Sequence, residues 1–336
     1  MTMEAASPSF SRTGWKRFHR HLDRRARWLA PLCAFGLLTP LISGWLAGSS
    51  TTAEWLFDLA SHWQWLYLNG LVLASGITSL NDRRHALWLL AVPLLWFTAS
   101  DPAPDAGQED LAGSQILSVA TANVHLGNPD PAPLLRWLAA ARPDVVMLNE
   151  VSPDYAQKLA ALKGYPYRHF TPRHDPFGLA ILSRFPLSQS QTIANEDGIG
   201  RIDARLDWNG QPVGLTAWHP MPPISKRDHM QRNQQLQALA QAARASGRPA
   251  IVAGDLNATP WSNAFGRLDQ AGLRRASGLA PTWPAAGRGW FGIPIDHVLV
   301  TPQWRVADRA IGPDLGSDHL PVMVRLALRP QQAPSE

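Results

Sequence analysis

Cysteine is almost missing from the sequence: Cys33 is the only one in 336 residues. An internal disulfide is therefore excluded, and so is a cysteine-built zinc site. Charge is scarce too, at 17% against roughly 25% for an ordinary globular protein. Disorder does not describe a chain with 45% hydrophobic residues, because disordered chains are charge-rich and apolar-poor. A basic surplus is absent from most of the chain, although the formal net charge is +5. Residues 1–30 hold Arg12, Lys16, Arg17, Arg20, Arg24, Arg25 and Arg27 against Glu4 and Asp23. Beyond residue 30 the chain carries 24 basic and 24 acidic residues. Nonspecific nucleic-acid binding uses a basic face, so the large domain is a poor candidate for it.

What the chain does contain is apolar sequence, unevenly placed. Eight of the 15 Trp lie in the first 100 residues. Three runs there lack charge: Trp28 to Ala53, Leu59 to Asn81, and His85 to Ser100 apart from His85 itself. A helix needs about 20 residues to cross a hydrocarbon core of about 30 Å. The first two runs reach that length. The third has 16 residues, about 24 Å of helix, and spans only if Arg83 and Arg84 snorkel or the bilayer thins. Pro31, Pro40 and Pro93 are tolerable in such helices, and Trp28, Trp45, Trp63, Trp65, Trp88 and Trp96 suit interfaces. A cleaved signal peptide would explain the basic start but not three runs.

The expectation is a basic cytoplasmic tail over 1–27, a membrane anchor of about three helices over 28–100, and a linker over 101–114. A catalytic domain over 115–328 and a short tail over 329–336 follow. The basic tail and Arg83–Arg84 mark the cytoplasmic side, and Glu54 and Asp58 fall in an outside loop. Three crossings then place the large domain outside the cytoplasmic membrane, as a multi-pass protein. The acidic, Pro-rich stretch from Asp101 to Asp110 suits a linker on that side.

From Gln115 the pattern alternates short apolar strands with helices. Strands are expected over 116–124, 145–148, 178–183, 189–194, 201–208, 212–218, 250–253, 295–300, 304–310 and 321–327. Helices are expected over 130–141, from Ser152 toward Leu162, over 225–245 and near 262–271. Many strands with few helices argue for an α/β sandwich with mixed sheets.

Polar residues recur where these strands stop. Val124 follows Asn123, and Leu148 leads to Glu150. Trp218 leads to His219, and Ala253 to Gly254-Asp255-Leu256-Asn257. Ile295 leads to Asp296-His297, and Gly316-Ser317-Asp318-His319 precedes the last strand. Asp, Asn and Gly end strands for turn reasons alone. Six sites bearing carboxylates, amides and imidazoles are more than turn chemistry requires.

These residues resemble the endonuclease/exonuclease/phosphatase superfamily, the DNase-I-like fold, over about 115–328. Gly254-Asp255-Leu256-Asn257-Ala258 and Ser317-Asp318-His319-Leu320-Pro321 carry most of the likeness, and Asn123, Glu150, His219 and Asp296 come in the family order. The resemblance implies a four-layer sandwich with two central mixed sheets. It also implies phosphodiester or phosphomonoester hydrolysis with a divalent metal, Mg²⁺ with Mn²⁺ as a substitute. In that pattern Glu150 holds the metal with Asn123 and Asp318. Asp255 orients or deprotonates the attacking water, and Asn257 donates to the phosphoryl oxygens. His319 faces the scissile phosphate with Asp296 fixing its tautomer, and His219 resembles the histidine of secreted DNases and sphingomyelinases.

The chemistry wants such a set, since a hard cation with His⁺ and Asn donors offsets charge on phosphoryl oxygens, and oxygen ligands suit Mg²⁺. His125 is a candidate substrate contact, as is Trp261, which with Trp283 and Trp290 could line an apolar rim. His297 and Arg184 fit structural roles. Within the superfamily, the anchor, Pro281-Thr-Trp-Pro-Ala285 and Ile293 to Val300 resemble bacterial membrane-anchored proteins of the teicoplanin-resistance type. The expected substrate is a phosphate ester, lipid-linked by preference because the enzyme is tethered, with nucleic acid disfavoured. An extracytoplasmic nuclease is the alternative, and a binding protein on the same fold is the non-enzymatic rival. No oligomeric state follows.

Overall fold

The computed structural model describes residues 12–100, 111, 113–266, 268–289 and 291–329. Residues 1–11 of the expected basic tail, most of the linker, Trp290 and the carboxyl-terminal tail from Pro330 lie outside the described residues. The chain divides into two compact units. One combines 12–42 with 63–100, and the other combines 43–62 with the residues from 111 onward.

The first unit is helical. Helix α1 runs over Arg12–Leu37, and α2, Thr39–Leu46, carries the chain across the boundary between units. After α3, Thr52–Ser61, come α4, Gln64–Ser79, a 3-10 helix over Arg83–Leu90 and α5, Ala91–Ala99. A stripe of Ala26, Ala30, Ala34 and Leu37 on α1 is buried with Leu71 and Ala74 of α4, the spacing of one helix face. Small residues let helices approach closely, and a Cβ at Gly70 would lie 2.7 Å from Cys33 Sγ. Trp28 and Leu32, off that stripe, are exposed.

The expected three spanning helices are not what forms. Among the described residues only His21–Leu46 is long and apolar enough to cross a membrane, by length and composition alone. The second uncharged run is divided, since Leu59 to Ser61 finish α3, and α4 has 16 residues, about 24 Å. The third run breaks into the 3-10 helix and the nine-residue α5. Pro93 falls in the first turn of α5, where its missing N–H costs no helical bond.

The second unit is the α/β sandwich. Its strands and helices are, in chain order, β1 (Ile116–Asn123), α6 (Ala132–Ala141), β2 (Val145–Asn149), α7 (Pro153–Leu159), β3 (Tyr167–Thr171) and β4 (Leu179–Ser183). Then follow β5 (Leu187–Ala194), β6 (Gly200–Trp208), β7 (Gln211–Trp218), α8 (Lys226–Ala245) and β8 (Ala250–Asp255). Finally come α9 (Leu268–Ala271), β9 (Arg274–Arg275), β10 (Asp296–Val300), β11 (Trp304–Ile311) and β12 (Val322–Leu328). One sheet has the order β11-β12-β1-β2-β4-β3, the other β5-β6-β7-β8-β10-β9. The pairs β1–β2 and β7–β8 are parallel, and α6 and α8 supply the crossovers such pairs need.

Alternation along the strands explains the layers. Leu117, Val119, Val145 and Met147 point between the sheets, toward Ile202, Leu215, Ile251 and Val298. Ala120, Ala122, Val146 and Leu148 point outward, under Leu134 and Leu138 of α6 and Tyr155 of α7. On the far side Val252 and Leu299 pack beneath Leu236 and Ala240 of α8. Strands buried on both faces read as nearly continuous apolar runs, and the result is helix, sheet, sheet, helix. Ser152 and Ser225 cap α7 and α8, accepting from Tyr155 N and Asp228 N. The helix expected near 262–271 is confined to Leu268–Ala271. Ahead of it Asn263 N donates to a side chain, Asp58 Oδ1, instead of to a helical carbonyl.

Candidate active site

Parallel strands end at the same edge of their sheet, so β1, β2, β7 and β8 deliver Asn123, Glu150, His219 and Asp255 to one place. The antiparallel β10 begins there, with Asp296 registered opposite Asp255. The turn before β12 adds Asp318 and His319. His125, Glu150 and Asn257 hold φ of 62°, 60° and 50°. For residues with a side chain this backbone is costly, and it concentrates at functional sites. Gly254 lets β8 pass β7, since a Cβ there would overlap the carbonyl oxygen of Trp218.

The buried centre is a carboxylate–imidazole–carboxylate array. Asp296 Oδ2 lies 2.8 Å from His319 Nδ1, and His319 Nε2 lies 3.6 Å from Asp255 Oδ2. Burial opposes the charge on His319, but Asp296 and Asp255 outweigh it and push its pKa up to about 10. Burial also works against Asp296, and the charge and hydrogen bond of His319 overcome it, holding Asp296 below the ordinary carboxylate range. Asp255 goes the other way: burial pushes it up, and the charge of His319 does not cancel the effect. Its Oδ1 accepts from Asn257 N at 2.9 Å. His219 Nδ1 donates to Pro176 O at 3.0 Å, and its Nε2 faces Asp255 Oδ2 at 3.5 Å. Asn257 Nδ2 donates to Pro220 O at 3.1 Å.

A second, more open group adjoins it. Asn123 Nδ2 donates to Glu150 Oε1 at 2.8 Å and to Asp255 Oδ2 at 3.2 Å, bridging the two groups. Its Oδ1 accepts from His125 N at 3.0 Å, so the amide steers Glu150 with its nitrogen. Glu150 Oε2 accepts from Leu126 N at 2.9 Å. His125 Nδ1 lies 3.3 Å from Asp318 Oδ1 and 3.8 Å from Glu150 Oε2, so two acids converge on one half-exposed imidazole. Trp283 Nε1 donates to Asp318 Oδ2 at 3.1 Å.

Two places could be considered for a metal ion. Asp255, Asp296 and His319 bring ligand atoms within 4.8 Å of one another, and Asp296 Oδ1 is buried without a hydrogen-bond partner. His319 there is paired to Asp296 and favours its protonated form, which has no lone pair for a metal. Glu150 and Asp318 are the better holders, because converging carboxylate oxygens fit a hard divalent cation.

The structure gathers His219, Asp255, Asn257, Asp296, His319, Asn123, Glu150, Asp318 and His125 at one edge of the sandwich. Trp261 is different: it is buried, so it is not an exposed rim. The exposed apolar side chains of the neighbouring loops are Ile224 and Phe291. His297 is a core residue, with Nε2 donating to Ala258 O at 2.8 Å and Ser277 Oγ 3.0 Å from Nδ1. Arg184 pairs with Asp144 at 3.2 Å. Three supporting residues were not singled out from sequence. Asn149 Oδ1 accepts from Asp255 N at 3.0 Å while its Nδ2 donates to Trp218 O at 3.3 Å. Thr282 Oγ1 accepts from Asp296 N at 3.2 Å. Ser317 Oγ donates to Asn123 O at 2.8 Å and accepts from His319 N at 3.1 Å. Each adjoins or precedes a recognisable residue, but nothing in its own type announces the contact.

Fold and site together describe a hydrolase of phosphate esters as a class. The profile of the Endonuclease/Exonuclease/phosphatase family matches residues 120–319, and the chain belongs to that family. Members hydrolyse phosphodiester or phosphate ester bonds, generally with divalent metal ions. Among solved structures, the endonuclease/exonuclease/phosphatase from Beutenbergia cavernae DSM 12333 is 24% identical, with 64% of this chain and 72% of that chain covered and a TM-score of 0.54. The endonuclease/exonuclease/phosphatase from Bacteroides vulgatus is 20% identical, with 64% and 100% covered and a TM-score of 0.54. D. rerio TDP2, complexed with a single strand DNA product, is 21% identical, with 63% and 99% covered and a TM-score of 0.52. At these identities the likeness is one of fold. No curated protein sequence matches.

Proposed function

We propose that the protein is a membrane-anchored, metal-dependent phosphoesterase acting on a phosphate ester, lipid-linked by preference, at the outer face of the cytoplasmic membrane. The observation that carries the catalytic reading is the buried Asp296–His319–Asp255 array beside the converging Glu150 and Asp318. Glu150 and Asp318, steered by Asn123, would hold a divalent cation such as Mg²⁺, with Mn²⁺ as a substitute. When bound, such a cation polarises the phosphoryl oxygens and offsets their charge. Asp255, with its raised pKa, takes a proton from the attacking water. His319, charged at neutral pH, donates from Nε2 to a phosphoryl oxygen, and Asn257 and His219 contribute further donors. Asp296 keeps the imidazole protonated at Nδ1.

Two observations support the location. His21–Leu46 can cross a membrane, and the basic residues before it favour a cytoplasmic start. Residues 47–62, which follow that helix, belong to the same compact unit as the residues from 111 onward, which supports placing both on one side. Tethering raises the effective concentration of lipid-linked substrates, and the balanced charge beyond residue 30 gives no support to DNA as substrate. The likeness of the anchor, Pro281 to Ala285 and Ile293 to Val300 to membrane-anchored proteins of the teicoplanin-resistance type supports the same reading.

The test is a phosphoester panel on the full chain in detergent, with Mg²⁺, Mn²⁺ or chelator. Turnover of amphiphilic phosphate esters that stops with chelator is expected. Better catalytic efficiency on plasmid DNA would favour the nuclease alternative, and no turnover of any ester would favour a binding protein. Alkaline phosphatase fused after Gly107 should be active, and an inactive fusion would return the enzyme to the cytoplasm.

A further inference from the structure

Helix α3 buries the wrong residues for a piece of membrane anchor. Glu54, Asp58 and Ser61 are buried, while Leu56 on the same helix is 53% exposed. Its acidic face is anchored in the catalytic unit, around Asp58, which has no solvent exposure. Asp58 Oδ2 accepts from His229 Nε2 at 3.0 Å and Arg232 Nη2 at 3.2 Å, both on α8. Ser262 Oγ donates to it at 2.9 Å, and Asn263 N donates to Asp58 Oδ1 at 2.7 Å. Glu54, one turn earlier, accepts from Asn263 Nδ2 at 3.2 Å, and Trp55 Nε1 donates to Pro223 O at 2.9 Å.

Arg232 carries the contact onward. It is 2% exposed, and its Nη1 donates to Asn257 O at 2.5 Å. Asn257 is the left-handed residue whose N–H holds Asp255 Oδ1. Asp58, Arg232, Asn257 and Asp255 therefore form one continuous chain of hydrogen bonds from α3 into the active site. Burial opposes ionisation of Asp58, yet the bond from His229 and the surrounding positive charge outweigh it and hold its carboxyl well below the ordinary range. A guanidinium bridges two acceptors in fixed geometry, which a lysine cannot copy.

We propose that Asp58 is a positioning residue for catalysis: through Arg232 it fixes the loop of residues 256–263, so the segment 43–62 completes the enzyme. Arg232 stands one shell behind Asn257, where a partner typically matters by about 10- to 100-fold in activity, and Asp58 acts through it. The isosteric Asp58→Asn removes the charge and keeps the volume. Arg232→Lys keeps a charge opposite Asp58 and loses the bridge to Asn257 O.

Two measurements are made on the full chain in detergent. Peptide-resolved hydrogen exchange should accelerate over 256–263 in both variants and stay at the wild-type rate in β2 and β4. The turnover arm rests on the phosphoesterase reading: kcat should fall about 10- to 100-fold with KM within about twofold, since the loop acts on reacting groups. If wild type turns over no ester, that reading fails, and exchange still decides the coupling. If Asp58→Asn does not fold, Arg232→Lys decides. Wild-type exchange over 256–263 in a folded variant overturns the proposal, as does a folded variant with wild-type kcat.

Discussion

Asn149 joins the two sheets at the point where catalysis depends on them. It ends β2 in one sheet, accepts from Asp255 N in β8 of the other, and donates to Trp218 O in β7. It has no solvent exposure. Asn149→Ala leaves a buried N–H and a buried carbonyl without partners, and each such group costs about 1–3 kcal/mol. The expected loss is thus about 2–6 kcal/mol. In a domain of this size 1 kcal/mol moves Tm by roughly 2–4 °C, so the catalytic unit should melt at least about 4 °C lower. Freed from Asn149, Asp255 shifts against the substrate, and kcat should fall about 10- to 100-fold. Differential scanning calorimetry of the full chain in detergent, with kcat measured well below Tm, reads both effects. A folded Asn149→Ala protein within 2 °C of wild type, with kcat within about twofold, would refute the reasoning that this amide couples the sheets.

Three further outcomes are expected. Asp255→Ala, His319→Ala and Glu150→Ala each cut kcat at least about 100-fold in folded protein, and near-wild-type turnover removes the residue from the mechanism. Asp296→Asn takes away the main charge that raises His319 to about 10. With that charge gone the imidazole loses its proton at lower pH, so the alkaline limb of the pH–rate profile should move to lower pH. An unshifted alkaline limb argues against that donor. His297 is buried neutral, because burial first and the Arg275 charge second lower its pKa to about 3. Its contribution to stability is therefore complete above about pH 6.5 and lost as pH falls toward 3, with a limiting slope of about 1.4 kcal/mol per pH unit. Urea midpoints of His297→Gln should lack that slope, and an unchanged slope assigns the acid sensitivity elsewhere.

The strand-end residues were legible because their chemistry and their place agree. Asp255, Asp296 and His319 each stand beside an apolar run, and the strand directions bring them together. Asn149 sits in the same kind of place, but an amide closing a buried strand has a sufficient explanation in turn chemistry. The edge strand β3 was not anticipated, because Tyr167-Arg-His-Phe-Thr171 shows no alternation of fully buried residues. The first hundred residues misled through composition. Counting uncharged residues cannot see that Leu59 to Ser61 belong to a helix facing the enzyme, or that Arg83–Leu90 winds as a 3-10 helix. Asp58 looked like an outside-loop carboxylate, and its partners His229 and Ser262 are 171 and 204 residues away in sequence.

That separation sets an order of events during synthesis. At about 5–20 residues per second, Ser262 leaves the ribosome roughly 10–40 s after Asp58. For most of that interval the carboxylate on α3 has no guanidinium to meet, and α3 must wait until α8 and the loop after β8 are made. Closing so long a loop is entropically slow, and topologies dominated by such contacts fold slowly. The contact that seats α3 thus forms only after β1 to β8 have been made, and a chain stalled before residue 262 holds most of the strands but neither the seat for α3 nor Asp296 and His319.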